Sequence, residues 1–291
     1  MHVAFRKYHG LGNDFVVLDG ITRSLPVDRL ADVDEASRLC DRHMGIGADG
    51  LLLVLPPERV GAQARMRVIN ADGSEPEMCG NGIRCVAKAL RDHILDLSEL
   101  DVLTIETGAG PLECKLSFGE DGLVSSVRVD MGRPSLDPGT LPMRAEDPFI
   151  ERSIPGIPED LRWTGVSMGN PHVVAFVDDP SRDLRVLAED LGPRVERHEL
   201  FPNRTNVELV RLEGGRAETW VWERGCGITL ACGTGACAVA VAAAATDRFP
   251  AGDALAVALP GGTLQIRVAE DHSHVLMDGP AVEVFSGALE L

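Results

Sequence analysis

Aromatic side chains are scarce in this 291-residue chain: Phe, Trp and Tyr together make up 4%, with a single tyrosine. A core must therefore be built from aliphatic side chains and alanine, and the 44% of hydrophobic residues supplies enough of them for an ordinary folded protein. Basic residues are also few, 28 Lys and Arg against 45 Asp and Glu, which leaves a formal charge of −17. So acidic a surface offers no cationic footprint for phosphates, and this excludes nucleic acid and anionic membrane as partners. No apolar run reaches the length that crosses a bilayer, and the opening residues MHVAFRKYHGLGNDF lack an apolar stretch ahead of a small-residue cleavage site. The expectation is a cytoplasmic protein. Seven cysteines, an odd number with no Cys-x-x-Cys pair among them, argue against a disulfide framework and for a reducing compartment.

What is present is a mixture of strands and helices in a chain long enough for two domains. Short β-branched or aliphatic runs bounded by turn residues begin at Phe15, Leu51, Met66 and Leu103, and again at His172, Thr205 and Thr219. Residues 83–95 place Ile83, Val86, Ala87, Leu90 and Ile94 at helical spacing with charge on the other face, which predicts an amphipathic helix. Residues 235–245, GACAVAVAAAA, predict a second helix, small and apolar all round and hence buried. The segment 132–142 carries three prolines and two glycines, and a domain boundary is expected near Met131.

Two motifs recur in the same order in both halves. Gly12-Asn13-Asp14-Phe15-Val16-Val17 matches Gly169-Asn170-Pro171-His172-Val173-Val174, 157 residues on, and Cys79-Gly80-Asn81-Gly82 matches Cys232-Gly233-Thr234-Gly235, 153 residues on. Asn70 and Glu223 each precede their cysteine by nine residues at the end of a predicted strand. Such ordered matches at nearly equal offsets imply one duplicated unit. Duplicated halves commonly meet about a pseudo-twofold axis, which would set the two Cys-Gly-x-Gly loops face to face.

A cysteine just ahead of a helix start sits where unpaired N–H groups and the helix dipole favour the thiolate, beside a seat for a ligand anion. Two such thiols on opposite faces of an α-carbon would form a two-base racemase. Cys40, Cys114, Cys85 and Cys237 are read as core packing, while Cys226 has no counterpart in the other half. A thiol redox pair and a metal site remain alternatives, although the six-residue step from Cys79 to Cys85 lacks the short pairing of structural zinc.

The segments His9–Phe15, Asn70–Ser74, Cys79–Cys85, Gly169–His172, Glu223–Gly225 and Ala231–Gly235 together resemble the diaminopimelate epimerase family, over nearly the whole chain. The resemblance implies an α/β (α+β) fold of two pseudo-symmetric domains, each a strand barrel around a central helix. The N-terminal half would span 1–131 with a returning strand over 276–291, and the C-terminal half 132–275. It implies a homodimer, no pyridoxal phosphate and no metal. The implied activity is epimerisation of L,L- to meso-diaminopimelate, in lysine and peptidoglycan-precursor biosynthesis; another amino acid on the same fold is the alternative.

Carried over by the resemblance, Cys79 and Cys232 are the acid/base pair, and Gly80, Asn81, Gly233 and Thr234 hold the reacting carboxylate. Asn70, Asn206 and Arg224 take the distal carboxylate, Glu223 the distal amine, and Asn13 and Asn170 line the site. His172 and Glu223 modulate the cysteine pKa values. Three positions depart from the family pattern: Gly50 where some members have a substrate-contacting Gln, Ile228 where Glu is frequent, and Phe285 at a position of dimer contact where some have Tyr.

Overall fold

The computed structural model describes residues 2–291, and the chain divides into two compact units, 1–129 with 278–291, and 130–277. The first unit begins with β1 (His2–Gly10) and β2 (Asn13–Asp19), then two short helices, α1 (Val27–Leu30) and α2 (Val33–Cys40). β3 (Gly50–Leu55), β4 (Ala64–Asn70) and α3 (Gly80–Ala89) follow, then β5 (Val102–Thr107), β6 (Gly110–Phe118) and β7 (Val124–Asp130). The second unit runs β8 (Trp163–Ser167), β9 (Pro171–Phe176), α4 (Leu184–Glu196), β10 (Asn206–Glu213), β11 (Arg216–Glu223), the short β12 (Gly227–Ile228), α5 (Gly233–Ala245), β13 (Ala254–Leu259) and β14 (Gly262–Val268). β15 (Val275–Gly279) leads back to β16 (Val282–Glu290) in the first unit.

The same pairing scheme recurs in each unit. β1–β2, β3–β4 and β5–β6 are antiparallel and β2–β3 and β4–β5 parallel; β8–β9, β10–β11 and β13–β14 are antiparallel and β9–β10 and β11–β13 parallel. Gly12 and Gly169, matched in the repeat, both adopt left-handed backbone with φ of 83° and 90°, so each first hairpin turns where glycine is sterically favoured. In each unit the strands wrap one helix: α3 touches β1 through β6, and α5 touches β8 to β11, β13 and β14.

β3, β8 and β9 are covered on both faces, which is why LLLVL at β3 reads as an unbroken apolar run instead of an alternating one. Leu51, Leu53 and Leu55 pack outward with Leu30 of α1 and Ala36, Leu39 and Cys40 of α2, while Leu52 points at Gly82 on α3. In the second unit Val173, Ala175, Val207 and Leu209 pack outward against Leu184, Ala188, Leu191 and Val195 of α4. Alternation therefore turns His172, Asn206 and Glu208 inward, toward α5.

Two expectations change. The helix expected over 83–95 is α-helical only over Gly80–Ala89, with a single π turn at Leu90–Ile94. Two of its charged side chains do not face water either: Arg84 and Lys88 are buried with the rest of α3, which the sheet wraps. Arg84 donates to the carbonyls of Gly80 and Pro280 and to Asn81 Oδ1, and Lys88 to Asp92 and the Val124 carbonyl. α5 runs Gly233–Ala245 and is buried as its composition predicts; its alanines let strands approach closely.

Candidate active site

In both units a cysteine caps the central helix. Cys79 and Cys232 hold extended backbone, at φ −138°, ψ 110° and φ −123°, ψ 110°, and each sulfur accepts the N–H three residues on, from Gly82 and Gly235, at 3.3 Å. The last glycine of the motif follows from this geometry. A Cβ on Gly82 would stand 3.3 Å from its cysteine sulfur, and one on Gly235 would stand 3.2 Å from sulfur and 2.9 Å from Glu208 Oε1. The N–H groups of the first helical residues, Gly80 and Asn81 or Gly233 and Thr234, lie outside the helical ladder, as at any helix start, where an anion is favoured.

In the first unit the matched strand ends gather the polar residues. Asn13 opens β2 and Asn70 closes β4, where Asn70 pairs with Gly50 of β3. Asn13 accepts from Asn81 Nδ2 at 3.1 Å and donates to Asp49 at 2.7 Å; Asn70 donates to Ser74 Oγ at 2.9 Å. Asp49 and Asp14 are clamped by Arg42, at 2.7 and 2.6 Å, and Lys7 pairs with Asp14 at 2.5 Å. Gly50 is more than a missing side chain, because a Cβ there would lie 2.7 Å from the Ile69 carbonyl. A glutamine at this position requires the β3–β4 pair to open.

In the second unit Cys232 is buried, and one hydrogen-bonded chain leads to it. Thr234 Oγ1 lies 3.6 Å from the sulfur and accepts from Asn170 Nδ2 at 3.2 Å; Asn170 Oδ1 meets His172 Nε2 at 3.0 Å, and His172 Nδ1 meets Glu208 Oε1 at 2.7 Å. Asn206 is used at both ends of its amide, donating to the Pro171 carbonyl and accepting from the backbone N–H of Arg224, each at 2.9 Å, so it latches the end of β11 onto the start of β9. Arg224 donates to the Asn203 carbonyl at 3.3 Å, and Glu223 accepts from Thr229 at 2.5 Å. Ile228 packs against the outer core, where a charged residue would lose its hydration.

Electrostatics corrects one expectation. Helix-start geometry favours a thiolate, yet Cys232 is raised well above the ordinary thiol range by burial first, then by Glu223 and Glu208, against the lowering by the Thr234 hydroxyl and the Gly235 N–H. Burial thus favours the thiol form at Cys232. Burial likewise pushes Cys85 and Cys114 up to about 12 and Cys40 to about 11, as suits thiols that only pack. Among the described residues no three His, Cys, Asp or Glu side chains are grouped to share a metal ion, and no helix is long and apolar enough to cross a membrane. Phe285 stands apart from these groups, half-exposed on the edge strand β16 with its ring edge-on to Phe5 at 6.0 Å.

Glu208 is the residue the sequence reading missed. The signal was there: an acidic residue in TNVELV, two positions after Asn206 and so on the same inward face.

Comparison with solved structures defines the class. The whole chain superposes on a PhzF-family phenazine biosynthesis protein of Bacillus anthracis with a TM-score of 0.70 at 18% identity, covering 100% of both chains. It also superposes on a hydroxyproline epimerase from Agrobacterium vitis with a TM-score of 0.64 at 19% identity, covering 99% and 91%. The fold is therefore the one that PhzF proteins share with such epimerases. Within it, the profile of the diaminopimelate epimerase family matches residues 5–136 and 164–284. The diaminopimelate epimerase of Moorella thermoacetica is 48% identical over 289 residues, 99% of each chain, and the chloroplastic diaminopimelate epimerase of Oryza sativa subsp. japonica 43% identical over 295 residues, 98% of this chain and 79% of its own. The chain belongs to the diaminopimelate epimerase family.

Proposed function

We propose that the protein interconverts L,L- and meso-diaminopimelate by two-base proton transfer, with Cys79 and Cys232 as the acid/base pair. The observation that carries this reading is the duplication of one device, a cysteine capping a central helix beside an anion seat, once in each unit. A thiolate takes the α-hydrogen and becomes a thiol; the carbanion, its charge shared with the carboxylate, takes the proton of the other thiol. No group is lost and the enzyme is left with its two sulfurs exchanged in protonation. Burial favours the thiol at Cys232, which suits it to deliver the proton when Cys79 takes the α-hydrogen. The N–H groups of Gly80, Asn81, Gly233 and Thr234 suit the reacting carboxylate, since partial positive charge at a helix start favours an anion.

The distal amino-acid head falls to Asn70, Asn206, Arg224 and Glu223, with Asn13 and Asn170 lining the site. Arg224 can offer a planar fork to a carboxylate and Glu223 a counter-charge to an ammonium. A homodimer through β16 agrees with its free edge and with Val282, Val284 and Phe285 standing exposed on it.

The test is incubation of purified protein with L,L-diaminopimelate followed by chiral analysis. In D₂O, stopped early, product should carry deuterium at the α-carbon while recovered substrate stays unlabelled, because the delivered proton comes from solvent-exchanged thiol. Cys79→Ala and Cys232→Ala should each lower turnover by at least about 10²–10⁴-fold. Early label in both pools at comparable levels, or an active Cys232→Ala enzyme, would defeat the two-thiol mechanism.

A further inference from the structure

Glu208 has no solvent exposure, and its Oε1 lies 2.7 Å from Nδ1 of an equally buried His172. Its Oε2 is buried with no hydrogen-bond partner among the described residues, so the carboxyl is retained at a cost in desolvation. What it does follows from donor and acceptor direction along the chain of contacts. Asn170 donates its Nδ2–H to Thr234, which leaves its Oδ1, an acceptor only, facing His172 Nε2. His172 must then carry hydrogen on Nε2. The Nδ1–Oε1 contact holds one more proton, as imidazolium beside carboxylate or as imidazole beside carboxylic acid; in both forms the pair is neutral and Nε2 keeps its hydrogen.

Remove the carboxyl and the neutral imidazole can place its hydrogen on Nδ1 instead. A bare Nε2 would oppose Asn170 Oδ1, and the amide would turn over to relieve two facing lone pairs. Turned over, it accepts the Thr234 hydroxyl proton, which is then lost to the sulfur 3.6 Å from that oxygen.

We propose that Glu208 is a positioning residue for Cys232: through His172 and Asn170 it aligns the Thr234 hydroxyl as a donor to the sulfur. This rests on Cys232 being an acid/base group of the reaction, but it can be measured without substrate. The titratable groups facing Cys232 and Glu208 are His172 from β9 and Glu223 from β11. A simple charge effect has the opposite sign, because a carboxylate near a sulfur disfavours thiolate and its removal would ease ionisation.

The experiment follows alkylation of Cys232 by iodoacetamide against pH, read by peptide mass spectrometry. The midpoint reports ionisation and is insensitive to how accessible the sulfur is. Glu208→Ala should raise the midpoint by about one pH unit, as expected when a charged sulfur loses one hydrogen bond. Thr234→Val should raise it similarly and the double variant no further, since both act through one hydroxyl. Glu208→Gln, whose amide can donate to Nδ1 and so keep hydrogen on Nε2, should stay near the parent. Glu208→Leu, closer in volume, carries the same expectation as Ala if the Ala variant does not fold. A midpoint unchanged or lowered in Ala or Leu, additive effects in the double variant, or a Gln variant that behaves like Ala would overturn the proposal. Failure of the two-thiol reading on which this rests would show instead as a Cys232→Ala enzyme that still epimerises.

Discussion

The sulfur of each Cys-Gly-x-Gly motif packs tightly on the glycine that ends it. In Gly235→Ala the new Cβ meets Cys232 Sγ at 3.2 Å and Glu208 Oε1 at 2.9 Å, so the buried Glu208 carboxyl or the helix start must shift. We expect a loss of about 1–3 kcal/mol in a urea titration, the usual range for overpacking a tight site. An unchanged midpoint would mean that the capped geometry is not maintained in solution. The remaining thiols should sort by burial. Cys40, Cys85 and Cys114, pushed up to about 11 or 12, should resist iodoacetamide at pH 8 until the chain unfolds, whereas exposed Cys226 reacts in the native protein. Mass spectrometry of the native and urea-treated protein separates the two groups.

Within an element, burial decides what charge can do. Arg84 lies on a helix wrapped by strands, and its guanidinium donates to three acceptors: the carbonyls of Gly80 and Pro280 and Asn81 Oδ1. Arg84→Ala leaves all three without that donor, at about 1–3 kcal/mol for each group left unsatisfied, and should lower the denaturation midpoint steeply. The ends of β1 and β2 are pinned to the loop before β3 by Lys7, Asp14, Arg42 and Asp49. Burial raises the Asp14 carboxyl, but hydrogen bonds from Arg42 and Lys7 outweigh it and hold the group at about 2. The folded state therefore binds this proton more weakly than the unfolded chain. The resulting stability, at most about 2 kcal/mol for such a shift, is present above pH about 4 and is lost as pH falls toward 2. In Asp14→Asn the deficit against the parent protein should shrink between pH 5 and pH 2, followed by urea midpoints.

At the scale of the molecule, the edge of β16 is the feature that asks for a partner. An exposed strand carrying Val282, Val284 and Phe285 is an open pairing template unless it is covered. In the proposed dimer, Phe285→Asp should shift sedimentation toward monomer, because a carboxylate buried at an interface without a partner is costly. A parent protein that sediments as a monomer would refute the dimer outright. The charge of −17 should keep either form soluble near neutral pH.

The sequence by itself determined the repeat, the two cysteines, the strand ends at Asn70 and Glu223 and the buried character of α5. These depend on interactions within a few residues, a turn that favours glycine or a sulfur reached by the N–H three positions later, so they are legible without the rest of the chain. Where α3 begins was misplaced by three residues because its first turn, Gly80 to Gly82, carries no hydrophobic periodicity. α2 and α4 went unread: α2 is only eight residues long, and Pro193 interrupts the pattern of α4. Only the tertiary structure decided that Arg84 and Lys88 are inside, that Glu208 meets His172, and that burial raises the Cys232 thiol. Each of these turns on what packs against a side chain from a distant strand, and the desolvation that results outweighs the local preference of the helix start.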